Sequence, residues 1–174
     1  MNKVIFLDRD GTINTDCEVY CIDDFQFNEG AIMGLRLLQG LGYKLAVVTN
    51  QRKIAEQRCS EHKVQAINAY WLDNYLPKQN VQIAAWAYCP HAIEEHCNCR
   101  KPATGMAGIV EKQIGPVDYA NSWMIGDKPS DMQFGKNLGM HTILINSQYA
   151  DADPNADYVV SRLYNAALLI GEVQ

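Results

Sequence analysis

The sequence has no long hydrophobic run and no excess of positive charge, and each absence excludes a class of protein. No stretch approaches the roughly 20 apolar residues of a membrane span. The four-residue apolar run after Met1-Asn2-Lys3 is too short for the hydrophobic region of a signal peptide. We therefore expect a cytoplasmic protein with no membrane partner. The net charge of −5 argues against a nucleic-acid partner, because proteins that bind the phosphate backbone are normally basic.

Internal repeats and low-complexity tracts are absent as well. A length of 174 residues suits one solid core, so we expect a monomer with a single domain over residues 1–174. Six cysteines could form disulfides in a secreted protein, but a cytoplasmic setting favours metal ligation or free thiols. We expect Cys17, Cys21 and Cys59 to be reduced thiols.

Short apolar runs alternate with helical patterns along the chain. The runs predict strands at 4–7, 44–48, 83–88, 123–125 and 142–145. Helical spacing predicts helices at 30–41, 60–76, 105–114, 130–138 and 161–171, and 13–28, 89–104 and 147–157 are predicted loops. Ser60 is the expected N-cap of the second helix, and Pro77 its stop. The βαβα order predicts an α/β fold, a doubly wound and mainly parallel sheet with helices on both faces.

Polar residues follow four of these strands. They are Asp8-Arg9-Asp10-Gly11-Thr12, Thr49-Asn50-Gln51, Arg100-Lys101-Pro102 and Gly126-Asp127-Lys128 with Asp131. Each segment alone is a common turn, helix cap or surface sequence. The carboxyl ends of parallel strands meet at one sheet edge, so together the segments predict phosphate or metal chemistry there. Asp8 and Asp10 repel each other and need a cation, for which Mg²⁺ is suited.

A second cluster lies in the predicted loop at about 89–99. Cys89, His91, Cys97 and Cys99 offer three sulfurs and one imidazole, a ligand set suited to structural Zn²⁺. Their spacing is tighter than in common zinc fingers, free thiols are an alternative, and His96 is a rival ligand. A bound ion would hold this loop and thereby position Arg100 and Lys101.

The order and spacing of these motifs resemble the haloacid dehalogenase (HAD) superfamily of phosphohydrolases. The matching positions are Asp8-x-Asp10-Gly11-Thr12, Thr49, Lys101 and Gly126-Asp127 with Asp131. The resemblance implies that Asp8 is a nucleophile that forms an aspartyl-phosphate and that Asp10 is the general acid and base. It implies Mg²⁺ ligation by Asp8, Asp10 and Asp127, phosphoryl binding by Thr49 and Lys101, and supporting positions for Lys128 and Asp131.

The segment Cys-Pro-His … Cys-x-Cys-Arg-Lys-Pro further resembles a zinc-loop subgroup of this superfamily, which lacks a large cap domain. Its members include phosphatases of D-glycero-D-manno-heptose 1,7-bisphosphate and of histidinol phosphate. The resemblance implies a Mg²⁺-dependent phosphomonoesterase of carbohydrate metabolism that removes the 7-phosphate of the heptose bisphosphate, a lipopolysaccharide precursor. Histidinol phosphate or another sugar phosphate is the alternative substrate. We expect substrate contacts from Asp16, Cys17, Glu18, Val19, Asn50, Gln51, Arg52 and Arg100.

The chain departs from the subgroup after Gln51, where Arg52-Lys53 replace a Ser-Gly pair and Glu56-Gln57 replace Arg-Gly. The two cations would suit a second phosphate or carboxylate of the substrate, or form a solvated face. A receiver-like phospho-accepting signalling module is an alternative of a different class. Such a module would carry its acceptor Asp after a later strand, where this chain has Thr49 and Cys89.

Overall fold

A computed structural model describes residues 1–173, in which six parallel strands form one sheet. The strands are β1 Val4–Leu7, β2 Lys44–Asn50, β3 Ile83–Cys89, β4 Trp123–Gly126, β5 His141–Ile145 and β6 Tyr158–Val160. Their order across the sheet is β3-β2-β1-β4-β5-β6. The central strands β1 and β4 are buried along their whole length, as continuous hydrophobicity predicts for a parallel sheet.

Helices connect the strands and cover both faces of the sheet. They are α1 Ala31–Gly40, α2 Glu61–Asn68, α3 Leu76–Lys78, α4 Gly105–Ile114, α5 Pro129–Asn137 and α6 Leu163–Val173. A π-helical segment, Ala69–Tyr75, joins α2 to α3. In residues 1–173 no helix has the length and apolar character needed to cross a membrane.

Alternate residues of β1 point into two separate cores, so the sheet is covered on both faces. Ile5 and Leu7 pack in one core with α1, α6 and the π-helical segment. Val4 and Phe6 pack in the other core with α4 and α5. The prediction of a doubly wound α/β fold is therefore confirmed, and residues 1–173 contain no large cap domain.

Two local predictions are corrected by the structure. The Ser60 hydroxyl caps α2 by accepting the Lys63 N–H at 3.3 Å, as expected, but helical backbone continues past Pro77 to Lys78. Pro77 is accommodated because it lies in the first turn of α3, a position at which a missing N–H is tolerated. The strand β6 was not predicted, since three residues with exposed Tyr158 and Val159 lack the apolar run of a buried strand.

The strand register brings the polar segments together. Leu7 pairs with Val47 of β2 on one side and with Ile125 of β4 on the other. The first residues beyond these strands, starting with Asp8, therefore emerge at one sheet edge, as the sequence predicts. None of the six cysteines forms a disulfide with another within residues 1–173.

Candidate active site

The centre of the site is a buried lysine held between two carboxylates. Lys101 Nζ lies 2.6 Å from Asp8 Oδ1 and 2.6 Å from Asp131 Oδ1, and it also donates to the Val48 carbonyl at 2.7 Å. All three charged side chains are almost fully buried. Burial raises the pKa of Asp8 to about 6, against the opposing effect of the Lys101 charge. The Asp131 and Asp8 charges hold the pKa of Lys101 above its usual range despite its burial, so Lys101 remains a cation.

Asp127 lies beside this centre, and both of its carboxylate oxygens are buried with no hydrogen-bond partner among residues 1–173. Burial, together with the Asp8 charge, raises the pKa of Asp127 to about 8. Ligand oxygens of Asp8, Asp127 and Asp131 lie within 4.8 Å of one another. A buried carboxylate with no partner is costly, and three converging carboxylates form the oxygen donor set that a hard divalent cation prefers.

Asp10 is held by three neighbours at the mouth of the site. Arg9, which is fully buried, donates to it from Nε at 3.0 Å and from Nη2 at 2.9 Å. Asn14 and Gln51 each donate at 2.9 Å. Burial alone would raise the pKa of Asp10, but the Arg9 guanidinium and these hydrogen bonds hold it below its usual range. The Asp10 carboxylate keeps 20 % exposure, so it is oriented and still accessible from the cleft.

The end of β2 supplies a hydroxyl and a connection to Lys101. Thr49 Oγ1 accepts from Gln51 Nε2 at 2.8 Å, which links Thr49 to Asp10 through the same amide group. The Asn50 side chain accepts the Lys101 N–H at 3.1 Å and donates to the Lys101 carbonyl at 3.3 Å. Asn50 therefore positions the backbone of Lys101, a role that the sequence analysis did not assign.

The predicted zinc ligands converge at the end of β3. Ligand atoms of Cys89, His91, Cys97 and Cys99 all lie within 4.8 Å of one another. The His91 Nδ1 atom is 3.2 Å from Cys99 Sγ, and the Cys89 and Cys97 sulfurs are 3.5 Å apart. Burial raises the pKa of Cys97, but hydrogen bonds outweigh this effect and lower the pKa to about 7. One of these bonds comes from the Arg100 N–H, which lies 3.3 Å from the Cys97 sulfur. This set suits tetrahedral zinc coordination.

A cleft of about 690 Å³ opens above Asp8 and Asp10. Seven of the eight predicted substrate-contact residues line it, namely Asp16, Cys17, Glu18, Asn50, Gln51, Arg52 and Arg100. Val19 does not line the cleft, because its side chain is fully buried in the hydrophobic core. The cleft wall also contains Lys53, Gln148 and Tyr149; the last two come from a predicted loop in which no motif signalled a site.

One wall is closed by contacts between distant loops. The Asp16 carboxylate accepts from Tyr149 OH at 2.6 Å and from Gln148 Nε2 at 2.8 Å. Lys128 Nζ lies 3.6 Å from both Asp16 and Asp127 and 4.4 Å from the centroid of the Tyr149 ring. Lys128 therefore connects the buried acids to this wall.

The parallel sheet and the acid–lysine centre at its carboxyl edge define a phosphatase of the HAD type. A HAD-hydrolase-like family model matches residues 98–166. The chain is 38% identical to D-glycero-beta-D-manno-heptose-1,7-bisphosphate 7-phosphatase of Pasteurella multocida, over 98% of this chain and 97% of that protein. It is 33% identical to the Photorhabdus laumondii enzyme named for the alpha anomer, over 97% and 96% of the two chains.

A solved structure has the same fold over the whole chain. It is D,D-heptose 1,7-bisphosphate phosphatase from B. bronchiseptica, complexed with magnesium and phosphate, with a TM-score of 0.84, 23% identity and 99% coverage of both chains. The chain belongs to the HAD superfamily, in the family of the heptose-1,7-bisphosphate 7-phosphatases. Membership in a phosphatase family counts against the receiver-like alternative.

Proposed function

We propose that this chain, acting as one domain and as a monomer, removes the 7-phosphate of D-glycero-β-D-manno-heptose 1,7-bisphosphate. The observation that carries the proposal is the buried Asp8–Lys101 pair at the floor of an open cleft. Relatives at 37–40% identity are named for this reaction on the β anomer, which supports the choice of sugar and anomer. The product would serve as a lipopolysaccharide precursor in carbohydrate metabolism.

In the proposed reaction Asp8 is the nucleophile. Lys101 contacts Oδ1 of Asp8, so Oδ2 remains available to form a bond to phosphorus while the bond from phosphorus to the sugar oxygen breaks. Asp10 enters the cycle in its protonated form and gives this proton to the leaving oxygen. Asp10 then takes a proton from a water molecule whose oxygen attacks phosphorus, which releases inorganic phosphate and restores the Asp8 carboxylate.

The neighbouring groups orient the reacting atoms and balance charge. Lys101 offsets negative charge on Asp8 and on the transferred phosphoryl group, and Thr49 donates to a phosphoryl oxygen. Arg9 and Gln51 hold the Asp10 carboxylate toward the cleft. Asp131 and Lys128 support these groups, since Asp131 is paired with Lys101 and Lys128 lies beside Asp127.

The donor set also fits Mg²⁺. The unpartnered oxygens of Asp127 and their closeness to Asp8 support ligation by these two side chains together with the Asp10 backbone carbonyl. When bound, Mg²⁺ would neutralise these carboxylates and polarise a phosphoryl oxygen.

The cysteine and histidine cluster fits Zn²⁺ with a structural role. Cys89, His91, Cys97 and Cys99 would hold the ion, as their mutual distances support. Arg100 follows Cys99 directly and lines the cleft, so a loop held in this way would present the guanidinium to the substrate. Asp16, Cys17, Glu18, Asn50, Gln51 and Arg52 complete the proposed substrate pocket.

The proposal is tested by phosphate release from both anomers of the heptose bisphosphate, histidinol phosphate and simple sugar monophosphates, with and without Mg²⁺. We expect the highest kcat/KM for the β-bisphosphate, and activity that requires Mg²⁺. Asp8→Asn should be inactive because an amide does not replace the nucleophilic carboxylate. A preference for histidinol phosphate would refute the substrate, and an active Asp8→Asn enzyme would refute the nucleophile.

A further inference from the structure

Five cationic side chains line the cleft, and three of them are paired with carboxylates. Lys101 is bound by Asp8 and Asp131, Lys128 lies beside Asp16 and Asp127, and Arg52 pairs with Glu56. Within residues 1–173, the remaining two, Lys53 and Arg100, have no carboxylate within 4.0 Å. Arg100 already belongs to the proposed substrate pocket, so Lys53 is the cation without an assigned role.

Lys53 is held in place by its backbone and is only 7% exposed. Its carbonyl accepts the N–H groups of Arg58 at 2.9 Å and Cys59 at 3.1 Å, so the loop after β2 folds back onto it. This arrangement differs from the solvated face that was one of the two interpretations of the Arg52-Lys53 pair.

The Lys53 ammonium group has unused hydrogen-bonding capacity. In the described part of the chain its one hydrogen bond is to the Val19 carbonyl, and its Nζ lies 5.4 Å from the centroid of the Tyr20 ring. An ammonium group has three N–H donors, so two are not used by residues 1–173. Burial, together with the Arg9 charge, lowers the pKa of Lys53 despite the opposing charge of Asp10, and a bound anion would favour the charged form of Lys53.

We propose that Lys53 binds the second anionic group of the substrate, the phosphate that is retained while the other one is hydrolysed. This inference rests on the proposed bisphosphatase function and assigns a specificity determinant to it. The transferred phosphoryl group is held by Lys101 and Thr49 beside Asp8, whereas Lys53 lies on the loop wall of the same cleft. Lys53 would then distinguish a bisphosphate from a monophosphate of the same sugar.

The experiment compares heptose 1,7-bisphosphate with heptose 7-phosphate as substrates of wild type, Lys53→Met and Lys53→Arg. Hydrogen bonds to charged groups are strong enough that Lys53→Met should lower kcat/KM for the bisphosphate by about 10- to 100-fold, chiefly through KM. Activity on the monophosphate should change less than about threefold. Lys53→Arg keeps the charge and should recover part of the preference.

Lys63→Met is the matched control, because Lys63 is exposed on α2 and lies outside the cleft. Thermal unfolding of each variant checks that it is folded. If Lys53→Met lowers kcat/KM equally for both substrates, the inference is overturned. A lysine that only donates to the Val19 carbonyl would affect both substrates alike. Failure of the proposed function gives a different result from failure of this inference alone. If the proposed function is wrong, wild type itself lacks activity on the bisphosphate, and this inference is then wrong as well.

Discussion

The backbone of Gly11 lies directly against the carboxylate of Asp127. A Cβ atom built at Gly11 would be 2.2 Å from Asp127 Oδ2 and 2.5 Å from Asp127 Cγ. Gly11 also has a φ of +94°, a conformation that disfavours every residue with a side chain. The Gly-Thr turn after β1 thus serves the acidic centre by leaving room for Asp127.

The first prediction concerns this contact. Gly11→Ala should fold with reduced stability and lose at least about 100-fold in kcat/KM, because the methyl group displaces the buried Asp127 carboxylate, which is a Mg²⁺ ligand in our proposal. Gly40→Ala is the control, since no atom of the described residues lies within 4 Å of a Cβ at that exposed helical position. Steady-state kinetics and Mg²⁺ titration measure the effect. If the activity of Gly11→Ala depends on Mg²⁺ concentration in the same way as that of wild type, the prediction is wrong.

The second prediction concerns pH and the metal-free protein. The pKa of Asp127 is raised from 3.8 to about 8 in the folded state, so the folded protein binds this proton more tightly than the unfolded chain. The stability of metal-free protein should therefore fall as pH rises between these two values, as the buried carboxylate ionises. Mg²⁺ should restore stability at the upper end of this range, because it binds the folded state.

Asp127→Asn tests this assignment. The amide does not ionise, so metal-free Asp127→Asn should lose less stability than wild type between pH 5 and 8, and it should gain little from Mg²⁺. Thermal unfolding after EDTA treatment, with and without added Mg²⁺, provides the measurement. Parallel curves for the two proteins would show that another group causes the pH dependence.

A third prediction concerns Arg9. Its guanidinium makes two hydrogen bonds to Asp10 and a third, at 2.7 Å, to Asn68 Oδ1. Arg9→Met should lower kcat by about 10- to 100-fold with little change in KM, since Asp10 loses its orientation. Arg9→Met should also lower the free energy of unfolding by about 2 kcal/mol, because in the Arg9–Asp10 pair the arginine is buried and the aspartate is partly exposed.

Arg9→Lys separates charge from geometry, because lysine keeps the charge without the two-point donor arrangement. We expect its kcat to lie between those of wild type and Arg9→Met. Arg162→Met removes an exposed ion pair with Glu29 and serves as the surface control. If Arg9→Met is destabilised but retains wild-type kcat, Arg9 has a structural role alone.

The fourth prediction concerns the cysteine and histidine cluster. Freshly purified protein should contain about one zinc ion per chain, and Cys97→Ser should abolish zinc binding and lower the thermal midpoint. KM should rise more than kcat falls, because Cys97 accepts the backbone N–H of Arg100. Cys21→Ser, at an exposed thiol outside the cluster, is the control. Wild-type protein that contains no zinc, yet has the same thermal midpoint as zinc-loaded protein, would refute the zinc assignment.

Much of the fold and the centre of the site could be predicted from the sequence. Buried parallel strands are continuous apolar runs, and the residues that follow them must emerge at one edge. For this reason the sequence alone groups Asp8, Thr49, Lys101 and Asp127 at one site. The cysteine and histidine spacing likewise indicated a ligand cluster because its members are close in sequence.

Contacts between distant loops could not be predicted in this way. Asp16 meets Tyr149 across 133 positions of sequence, and no local pattern in 147–157 signals that meeting. The same reason explains the predictions for two loop residues. A substrate contact was expected from Val19, whose side chain is buried, and the sequence left open whether Lys53 is solvated. Whether a loop residue is buried depends on what packs over it. The short strand β6 also forms through pairing with β5 rather than through its own hydrophobicity.

The sequence by itself determined which chemical groups this protein brings to the carboxyl edge of its sheet, because the ends of the buried strands follow from local hydrophobic patterns. Only the tertiary structure decided how those groups are partnered. Within residues 1–173 it left Asp127 without a hydrogen bond, connected Gln51 to Asp10 and placed Lys53 on the cleft wall. The reason is physical: side-chain partnership depends on packing between segments far apart in the chain, which periodicity and spacing do not encode.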